Sequence, residues 1–275
     1  MPITSLTLLV AITTVSLLAL AGLLHLLPRL GAPGRAVSHQ CQRAFGLDLL
    51  VTVFTMLPWA LGAVLLGWWG VLGGVVAQLL AMHGWIIAHE LAHRDAVRGP
   101  RIVKVLNSKF GRLRNHLAVW STAPAVPLFW IVRVAQWTLY PPLVWLVNFP
   151  RYKQGEWVNV SRQKFEGLVG WDLIWCLYCD WMTGIWSLGT EMLRNVESFW
   201  CPIRFYSGKK CENCAIDFPD LEGGWVDAAG SMQQVADVLD QKYPSGEGKP
   251  NAWFGHPTRV TVEGEAVERD PGQTV

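Results

Sequence analysis

Charged residues are scarce in this chain, at 16% of its 275 residues, while 51% are hydrophobic. Charged residues make up about a quarter of an average soluble domain, so this shortage argues against a soluble protein. The chain also has no basic groove with the other features of a nucleic-acid-binding module, and no internal repeat. We therefore expect no nucleic acid among its partners.

The first apolar run, Ile3 to Leu27, lacks charge altogether and is long enough to span a bilayer. A cleaved signal peptide carries positive charge ahead of its apolar run, and residues 1–5 carry none. We therefore expect a retained membrane helix. His25, near its end, is expected to be packed or interfacial rather than a metal ligand.

The few charges are unevenly distributed. Residues 1–215 carry 19 Lys and Arg against 10 Asp and Glu, whereas residues 216–275 carry 4 against 11. The 16 Trp are typical of chains that meet a membrane interface. This pattern predicts a membrane domain over residues 1–198, followed by a Cys-containing loop and acidic cytoplasmic tail over residues 199–275.

A helical hairpin is predicted next, with spans at Leu47 to Leu66 and Val71 to His89 joined by a Gly-Trp-Trp-Gly turn. Basic loops precede and follow it, at Pro28 to Gly46 and Arg94 to Arg114, and the second holds seven Lys or Arg and one Asp. The positive-inside rule assigns both loops to the cytoplasm. It therefore places the end of the hairpin near His89 at the cytoplasmic membrane surface.

The remaining segments complete a predicted all-α polytopic membrane protein, with about four to six membrane-associated helices and a small cytoplasmic α+β C-terminal tail. Leu117 to Phe149 is apolar but broken by prolines and by Arg133, which should face protein, water or headgroups. Glu166 to Leu193 is predicted to form an amphipathic helix. In the tail, Ser231 to Tyr243 favours a helix and Thr258 to Glu268 alternates as strands do. We expect the protein in an inner or plasma membrane.

The third span ends in His89-Glu90-Leu91-Ala92-His93, here called the HELAH segment. Two His residues at i and i+4 lie on one face of a helix and can hold one metal ion between them. The Glu between them can serve as general base toward a metal-bound water. The pattern predicts metal ligands at His89 and His93 and a catalytic role for Glu90.

The HELAH segment with Arg94 resembles the first histidine box of the membrane alkane and xylene hydroxylases, which are related to the fatty-acid desaturases. In that family the box lies at the cytoplasmic end of a helical hairpin, and its histidines hold two irons that activate oxygen. The resemblance covers about a fifth of the chain and implies iron ligands at His89 and His93, with His116 as a further ligand. The later boxes are missing, because only His116 and His256 follow His93.

The HELAH segment is also similar to the motif of zinc metallopeptidases, in which the two His bind zinc and the Glu is the base. That chemistry requires a third ligand. His116, Asp172 and Asp180 are the residues available for it. The Asn-Pro…Leu-Asp-Gly setting of the intramembrane members is absent from this sequence.

Cysteines supply a second set of predicted metal ligands. Cys176 and Cys179 form one Cys-x-x-Cys pair, Cys211 and Cys214 form another, and Cys201 lies between them. In a reducing cytoplasm such thiols bind metal more readily than they form disulfides, and thiolates suit zinc or an iron–sulfur centre. Cys41 stands alone and is expected to be structural.

Three functions follow from these patterns. The leading one is a metal-dependent, iron-containing membrane oxidoreductase related to the hydroxylases. The second is a membrane zinc peptidase that uses Glu90 as base. The third is a non-catalytic assembly or anchoring subunit with a Cys-bound zinc or iron–sulfur site. The expected cofactor is a metal ion, iron or zinc, and the expected partners are membrane lipid and a protein bound through the acidic tail.

Overall fold

The structure, a computed structural model, describes residues 3–147, 149, 151–201, 203, 226–242, 258–260 and 266–268. The helices, in chain order, are α1 (Ile3–Leu26), α2 (Gly31–Cys41), α3 (Gly46–Ala92), α4 (Arg94–Arg98), α5 (Ile102–Phe110), α6 (Arg112–Trp120), α7 (Val126–Thr138), α8 (Tyr140–Val147), α9 (Gln154–Trp157), α10 (Gly170–Trp200) and α11 (Met232–Lys242). Single 3₁₀ turns lie at Leu27–Arg29, Ala123–Ala125 and Arg162–Lys164. Strands β1 (Thr258–Val260) and β2 (Ala266–Glu268) pair antiparallel, with Arg259 opposite Val267.

Three stretches are long and apolar enough to cross a membrane. They are Ile3–Arg29 (27 residues), Gly46–Ala92 (47 residues) and Arg112–Val147 (36 residues). Their apolar side chains are largely exposed, as expected of helices whose solvent is lipid. The helical, membrane-compatible character predicted from composition is confirmed to this extent.

The long helix α3 folds back on itself at Leu66 and Gly67. Gly67 has φ +59°, a left-handed conformation that a residue with a Cβ adopts only with strain. Beyond the reversal the two arms touch through glycine, because the backbone of Gly62 lies directly against that of Gly70. Small residues let membrane helices approach this closely. The predicted helical hairpin is therefore confirmed.

Polar contacts also join the two arms of the hairpin farther from its tip. The Gln78 amide, on the second arm, donates to the carbonyl oxygens of Phe54 (2.7 Å) and Thr55 (2.5 Å) on the first arm. Trp59 Nε1 donates to Gln78 Oε1 at 2.6 Å. These bonds satisfy an amide that lipid could not satisfy, and they fix the register of the two arms.

Helix α1 runs in the same direction as the second arm of α3. Leu6 meets Gly73 near one end, Thr14 Oγ1 donates to the Ala77 carbonyl at 3.3 Å in the middle, and His25 stacks near His89 at the other end. The segments that follow α1 and α3 therefore leave from the same end of this helix group. They are the two basic segments that the sequence assigns to one side of the membrane.

The prediction that these two basic segments are loops is wrong, because most of each is helical. The first contains α2, and the second contains α4, α5 and the first three residues of α6. In α5, Ile102 and Leu106 follow the i, i+4 spacing that favours an amphipathic helix, and the abundance of Lys and Arg does not oppose it.

Helix α10 begins later and ends later than predicted. Gly167 (φ +81°) and Gly170 (φ +53°) hold the chain in left-handed conformations just before the helix. Along the helix, Leu173, Trp181 and Ile185 are buried, and Trp181 Nε1 donates to the buried carboxylate of Asp48 on α3 at 3.2 Å.

The chain divides into two compact units, Met1–Pro124 with Val158–Met182, and Ala125–Trp157 with Thr183–Val275. Residues of α10 belong to both. The division predicted at residue 198 stays a prediction.

The second unit has a buried polar centre around Arg133. Its guanidinium is fully buried, donates to Gln136 Oε1 at 2.7 Å and lies 4.9 Å from the centre of the Trp137 ring. Gln136 in turn donates to the Ile185 carbonyl at 2.7 Å. Of the three surroundings expected for Arg133, which were protein, water and headgroups, the structure shows protein.

A second group of buried polar side chains lies in the same unit. Asn195 donates to the hydroxyls of Tyr140 (2.8 Å) and Tyr152 (2.6 Å), and the Tyr152 hydroxyl donates to Glu191 Oε1 at 3.2 Å. Glu191 and Asn195 lie one helical turn apart on α10, so they share the face that the unit buries.

The glycine contact in the α3 hairpin yields a testable prediction. Replacing Gly70 by Ala would drive a Cβ into the backbone of Gly62, so the hairpin arms must separate. We expect a loss of about 1–3 kcal/mol in unfolding free energy, typical of overpacking. The measurement is thermal unfolding of the detergent-solubilised chain.

Gly22→Ala is the matched control, because a Cβ at Gly22 has no atom within 4 Å and this helical site is exposed. The control should leave stability unchanged or raise it slightly. Equal effects of the two substitutions would contradict the close approach of the arms.

Candidate functional site

The HELAH segment forms the last turn of α3, at the end of the hairpin opposite the Trp68-Trp69 tip. The His93 N–H still donates to the His89 carbonyl at 3.1 Å, but His93 itself has left the helical conformation (φ −120°, ψ 48°). The segment therefore lies where the apolar arm gives way to the basic segment, as the sequence predicts, although that segment is helical and not a loop.

Glu90 is occupied by partners from two other segments. Its Oε1 lies 2.8 Å from Arg101 Nη2 and accepts a hydrogen bond from the Trp171 N–H at 3.1 Å. Gly170, the preceding residue, presses so closely on the Glu90 side chain that a Cβ there would collide with it. Glycine at position 170 thus serves both a left-handed backbone and this close approach.

Arg101 joins Glu90 to a second carboxylate. Arg101 Nε donates to Asp172 Oδ2 at 2.9 Å, and Nη2 donates to the Val169 carbonyl at 3.1 Å. The Arg101 and Asp172 side chains are each only 5% exposed, and that of Glu90 is 27% exposed. We call these three residues the ion triad.

Asp172 also accepts the Val103 N–H, at 3.0 Å, in the first turn of α5. Each carboxylate of the ion triad therefore accepts an N–H that a helix start leaves without an intrahelical partner, Glu90 for α10 and Asp172 for α5. Burial disfavours the charge on Arg101, but its hydrogen bonds to Glu90 and Asp172 outweigh this and raise the guanidinium pKa above its ordinary value. The triad is thus a fully paired structural network.

The imidazole rings of His25, His89 and His93 stack in a row. The His25 and His89 ring centres are 5.5 Å apart, and those of His89 and His93 are 4.3 Å apart, with Trp85 stacked on His89 at 4.7 Å. The structure therefore brings the two predicted ligands together and adds His25, which the sequence predicts to be packed or interfacial. Stacked rings, however, do not direct their nitrogen lone pairs toward a common point.

The hydrogen bonds of His89 and His93 define their tautomers. The Gly170 N–H donates to His89 Nδ1 at 3.2 Å, so the neutral ring carries its proton on Nε2. Neither nitrogen of His89 then offers a lone pair to a metal ion. His93 Nδ1 lies 2.9 Å from the His89 carbonyl and donates to it, which leaves Nε2 as an exposed lone pair. Of the two predicted ligands, only His93 keeps a ring-nitrogen lone pair that no hydrogen bond occupies.

His116 lies on α6 and stacks on Trp171 at 4.9 Å. Its Nδ1 is buried and has no hydrogen-bond partner. Throughout the part of the chain that the structure describes, no three His, Cys, Asp or Glu side chains are placed to hold one metal ion. Metal ligation by His89, His93 and His116 stays a prediction that this arrangement does not favour.

Among the predicted cysteine ligands, Cys176 and Cys179 lie together on α10, half-buried and without a disulfide. Arg162 lies close enough to both sulfurs for its positive charge to act on them. Burial raises the pKa of the Cys176 thiol above its ordinary value, and Arg162 opposes that rise. Cys201 is exposed. Cys211 and Cys214 lie outside the described residues, so their role as ligands stays a prediction.

Sequence reasoning missed Arg101, which appears there only as one of seven basic residues in a loop, and considered Asp172 only as a replacement metal ligand. The available signal was weak. An Asp in the first turn of a helix is typical, because its negative charge interacts favourably with the helix dipole. The local sequence does not indicate that this Asp also pairs with an arginine 71 residues away.

No family model matches this chain, and no curated protein or solved structure is found to be similar to it.

The ion triad predicts a large difference between two neighbouring arginines. Arg101→Gln leaves Glu90 and Asp172 without their cation, which should cost about 3–5 kcal/mol of unfolding free energy, as when one member of a buried ion pair is removed. Denaturant or thermal unfolding in detergent measures the change.

Arg98→Gln serves as control. Arg98 pairs with Asp95 at 3.5 Å, but the two side chains are 80% and 99% exposed, so we expect little change in stability. A similar stability for both variants would show that the triad is dispensable.

The Cys176 environment predicts a shifted alkylation profile. In a chain that retains Cys176 as its single cysteine, the pH midpoint of iodoacetamide reaction should lie above that of the same chain in denaturant, because burial disfavours the thiolate. Arg162→Gln should raise the folded midpoint further. A folded midpoint at or below the denatured one would contradict this assignment.

Proposed function

We propose that this protein is a membrane-embedded anchoring or assembly subunit in which the HELAH segment is structural rather than catalytic. The observation that carries the proposal is the pairing of Glu90, whose carboxylate binds Arg101 at 2.8 Å and the Trp171 N–H at 3.1 Å. A carboxylate already paired with a guanidinium is poorly suited to take a proton from water. His89 supports the same conclusion, because its Nδ1 accepts from Gly170 rather than from a metal.

The proposal includes an assignment of the helix ends to the two sides of the membrane. Both basic segments leave the α1 and α3 helices from the same end, and the positive-inside rule assigns such an end to the cytoplasm. We therefore assign the HELAH end of the hairpin to the cytoplasmic side of an inner or plasma membrane. The tail, residues 199–275, would follow on that side, with the broken stretch 112–147 contributing the further membrane-associated helices.

An anchoring subunit needs a surface for its partner as well as one for lipid. The exposed apolar side chains of α1 and α3 suit lipid, with Leu8, Ile12 and Val64 among them. The tail suits a protein with a basic surface, because residues 216–275 carry 11 Asp and Glu against 4 Lys and Arg. In this proposal a zinc ion bound by Cys211 and Cys214 would stabilise the tail. Both cysteines lie outside the described residues.

The iron-dependent oxidoreductase is the second candidate, and one observation favours it. His25 extends the pair of His89 and His93 to three imidazoles at one membrane surface, with ring centres 5.5 and 4.3 Å apart. An iron ion would require His89 to give up its bond to Gly170, and ligation through Nε2 would also require the other tautomer. The zinc peptidase has no observation of its own in its favour, because it needs both Glu90 as a free base and His89 as a ligand.

Elemental analysis of detergent-purified protein and of its His93→Ala variant distinguishes these functions. For an anchoring subunit we expect the same iron and zinc content in both, because His93 then binds no metal. His39→Ala is the matched control, since His39 lies in α2 and belongs to neither predicted metal site.

Loss of about one iron or zinc per chain in His93→Ala alone would contradict the anchoring proposal and favour a metalloenzyme. The partner is tested in parallel by the size of the native membrane complex. Changing the acidic residues after position 215 to amides should reduce that size, and His93→Ala should not.

A further inference from the structure

A pair of thiols lies in the N-terminal half of α10, with a guanidinium from a preceding turn beside it. Cys176 and Cys179 are three residues apart in a continuous helix, so their side chains project from one face, about one turn from each other. Both are half-buried, and both are reduced. Two sulfurs are thereby held on a rigid element at a spacing that one ion can bridge.

Arg162 approaches this pair from the 3₁₀ turn Arg162–Lys164. The Arg162 guanidinium lies close enough to the sulfurs of Cys176 and Cys179 for its positive charge to act on both. Its Nε lies 2.9 Å from Asp180 Oδ1, and this ion pair restrains the guanidinium. Donors held in place beside sulfur atoms stabilise thiolates and orient them as ligands.

The Asp180 carboxylate is fully used in holding Arg162 and its turn in place. Besides Arg162 Nε, its Oδ2 accepts the backbone N–H groups of Ser161 and Arg162, both at 3.0 Å. It is therefore an anchor for Arg162 rather than a third ligand. The described residues supply two sulfur ligands here, and no group of three candidate ligands exists among them.

We propose that Cys176 and Cys179 form a two-coordinate site for a soft monovalent ion, Cu(I). Thiolates select soft ions, and Cu(I) is stable with two sulfurs alone, whereas zinc and iron–sulfur centres require four protein ligands or their equivalent. Binding forms two copper–sulfur bonds and releases the two thiol protons to solvent, with no change in oxidation state. Arg162 is a positioning residue, since its charge acts on the sulfurs and not on the ion. The site does not depend on the anchoring role proposed above.

The test uses the full chain with its other four cysteines removed, as Cys41→Ser, Cys201→Ser, Cys211→Ser and Cys214→Ser. This chain, in detergent and without oxygen, competes for Cu(I) against a coloured Cu(I) chelator. We expect one Cu(I) per chain, and a near-ultraviolet thiolate-to-copper band that appears with it. Adding Cys176→Ser should abolish both signals while the thermal unfolding temperature stays within a few degrees of that of the parent.

Arg162→Gln should weaken Cu(I) affinity about 10-fold or more while one ion per chain still binds, as is usual when a residue that orients a metal ligand is removed. Lys164→Gln is the matched control, because Lys164 is an exposed cation in the same 3₁₀ turn. It should leave the affinity unchanged.

Any one of four results would overturn the proposal, and the first three concern Cu(I). They are failure of the four-serine chain to bind Cu(I), equal Cu(I) binding after Cys176→Ser, and an equal loss of affinity in Arg162→Gln and Lys164→Gln. Zinc binding by the four-serine chain at an affinity matching that of Cu(I) would also refute two-coordinate selectivity. Should Arg162→Gln fail to fold, Arg162→Lys retains the charge but not the planar fork, and it should show the same loss of affinity.

Discussion

The buried guanidinium of Arg101 connects the ends of three helices. It lies between Glu90, at the end of α3, and Asp172, in the first turn of α10, while its own position directly precedes α5. The two carboxylates also accept N–H groups of α10 and α5. A cation in this position must be paired, because an unpaired buried charge costs several kcal/mol. The geometry of the α3 end, and with it the chemistry open to the HELAH segment, follows from that requirement.

Elsewhere the same principle governs the apolar parts of the molecule, where polar groups have protein partners. Gln78 bonds the two arms of the α3 hairpin, Arg133 is paired within the second unit, and Asn195 joins two tyrosine hydroxyls. Lipid offers no hydrogen bonds, so each of these groups must find its partner inside the protein. Glycines such as Gly62 permit the close backbone contact that apolar side chains alone would prevent.

Features carried by local sequence could be predicted, and features carried by distant pairing could not. The hairpin follows from two apolar runs around a Gly-Trp-Trp-Gly turn, and the burial of Arg133 follows from the cost of a charge in lipid. The partner of Glu90 could not be read in this way. Arg101 is one of many basic residues in its segment, and the Gly170 amide that selects the His89 tautomer lies 81 residues further along the chain. A motif of two His and one Glu reports which atoms are present, but their hydrogen-bond partners decide which lone pairs are free. The two basic segments were predicted to be loops and are helical, because an abundance of Lys and Arg indicates the side of the membrane but does not oppose a helical backbone.

The length of the second arm of α3, measured from the tryptophans at the hairpin tip, is close to the thickness of a bilayer's hydrocarbon layer. Trp68 and Trp69 are exposed there, at 70% and 59%, and indole rings settle in the headgroup layer. From Trp68 to His89 a helix rises about 30 Å, which is also about the thickness of the hydrocarbon layer. In the membrane placement proposed above, with these indoles held in one leaflet, the length of the helix would set the depth at which Glu90 and Arg101 emerge in the other. In that placement, a membrane of different thickness would draw the ion pair toward acyl chains or push it into water, which would couple the stability of this helix junction to the thickness of the bilayer.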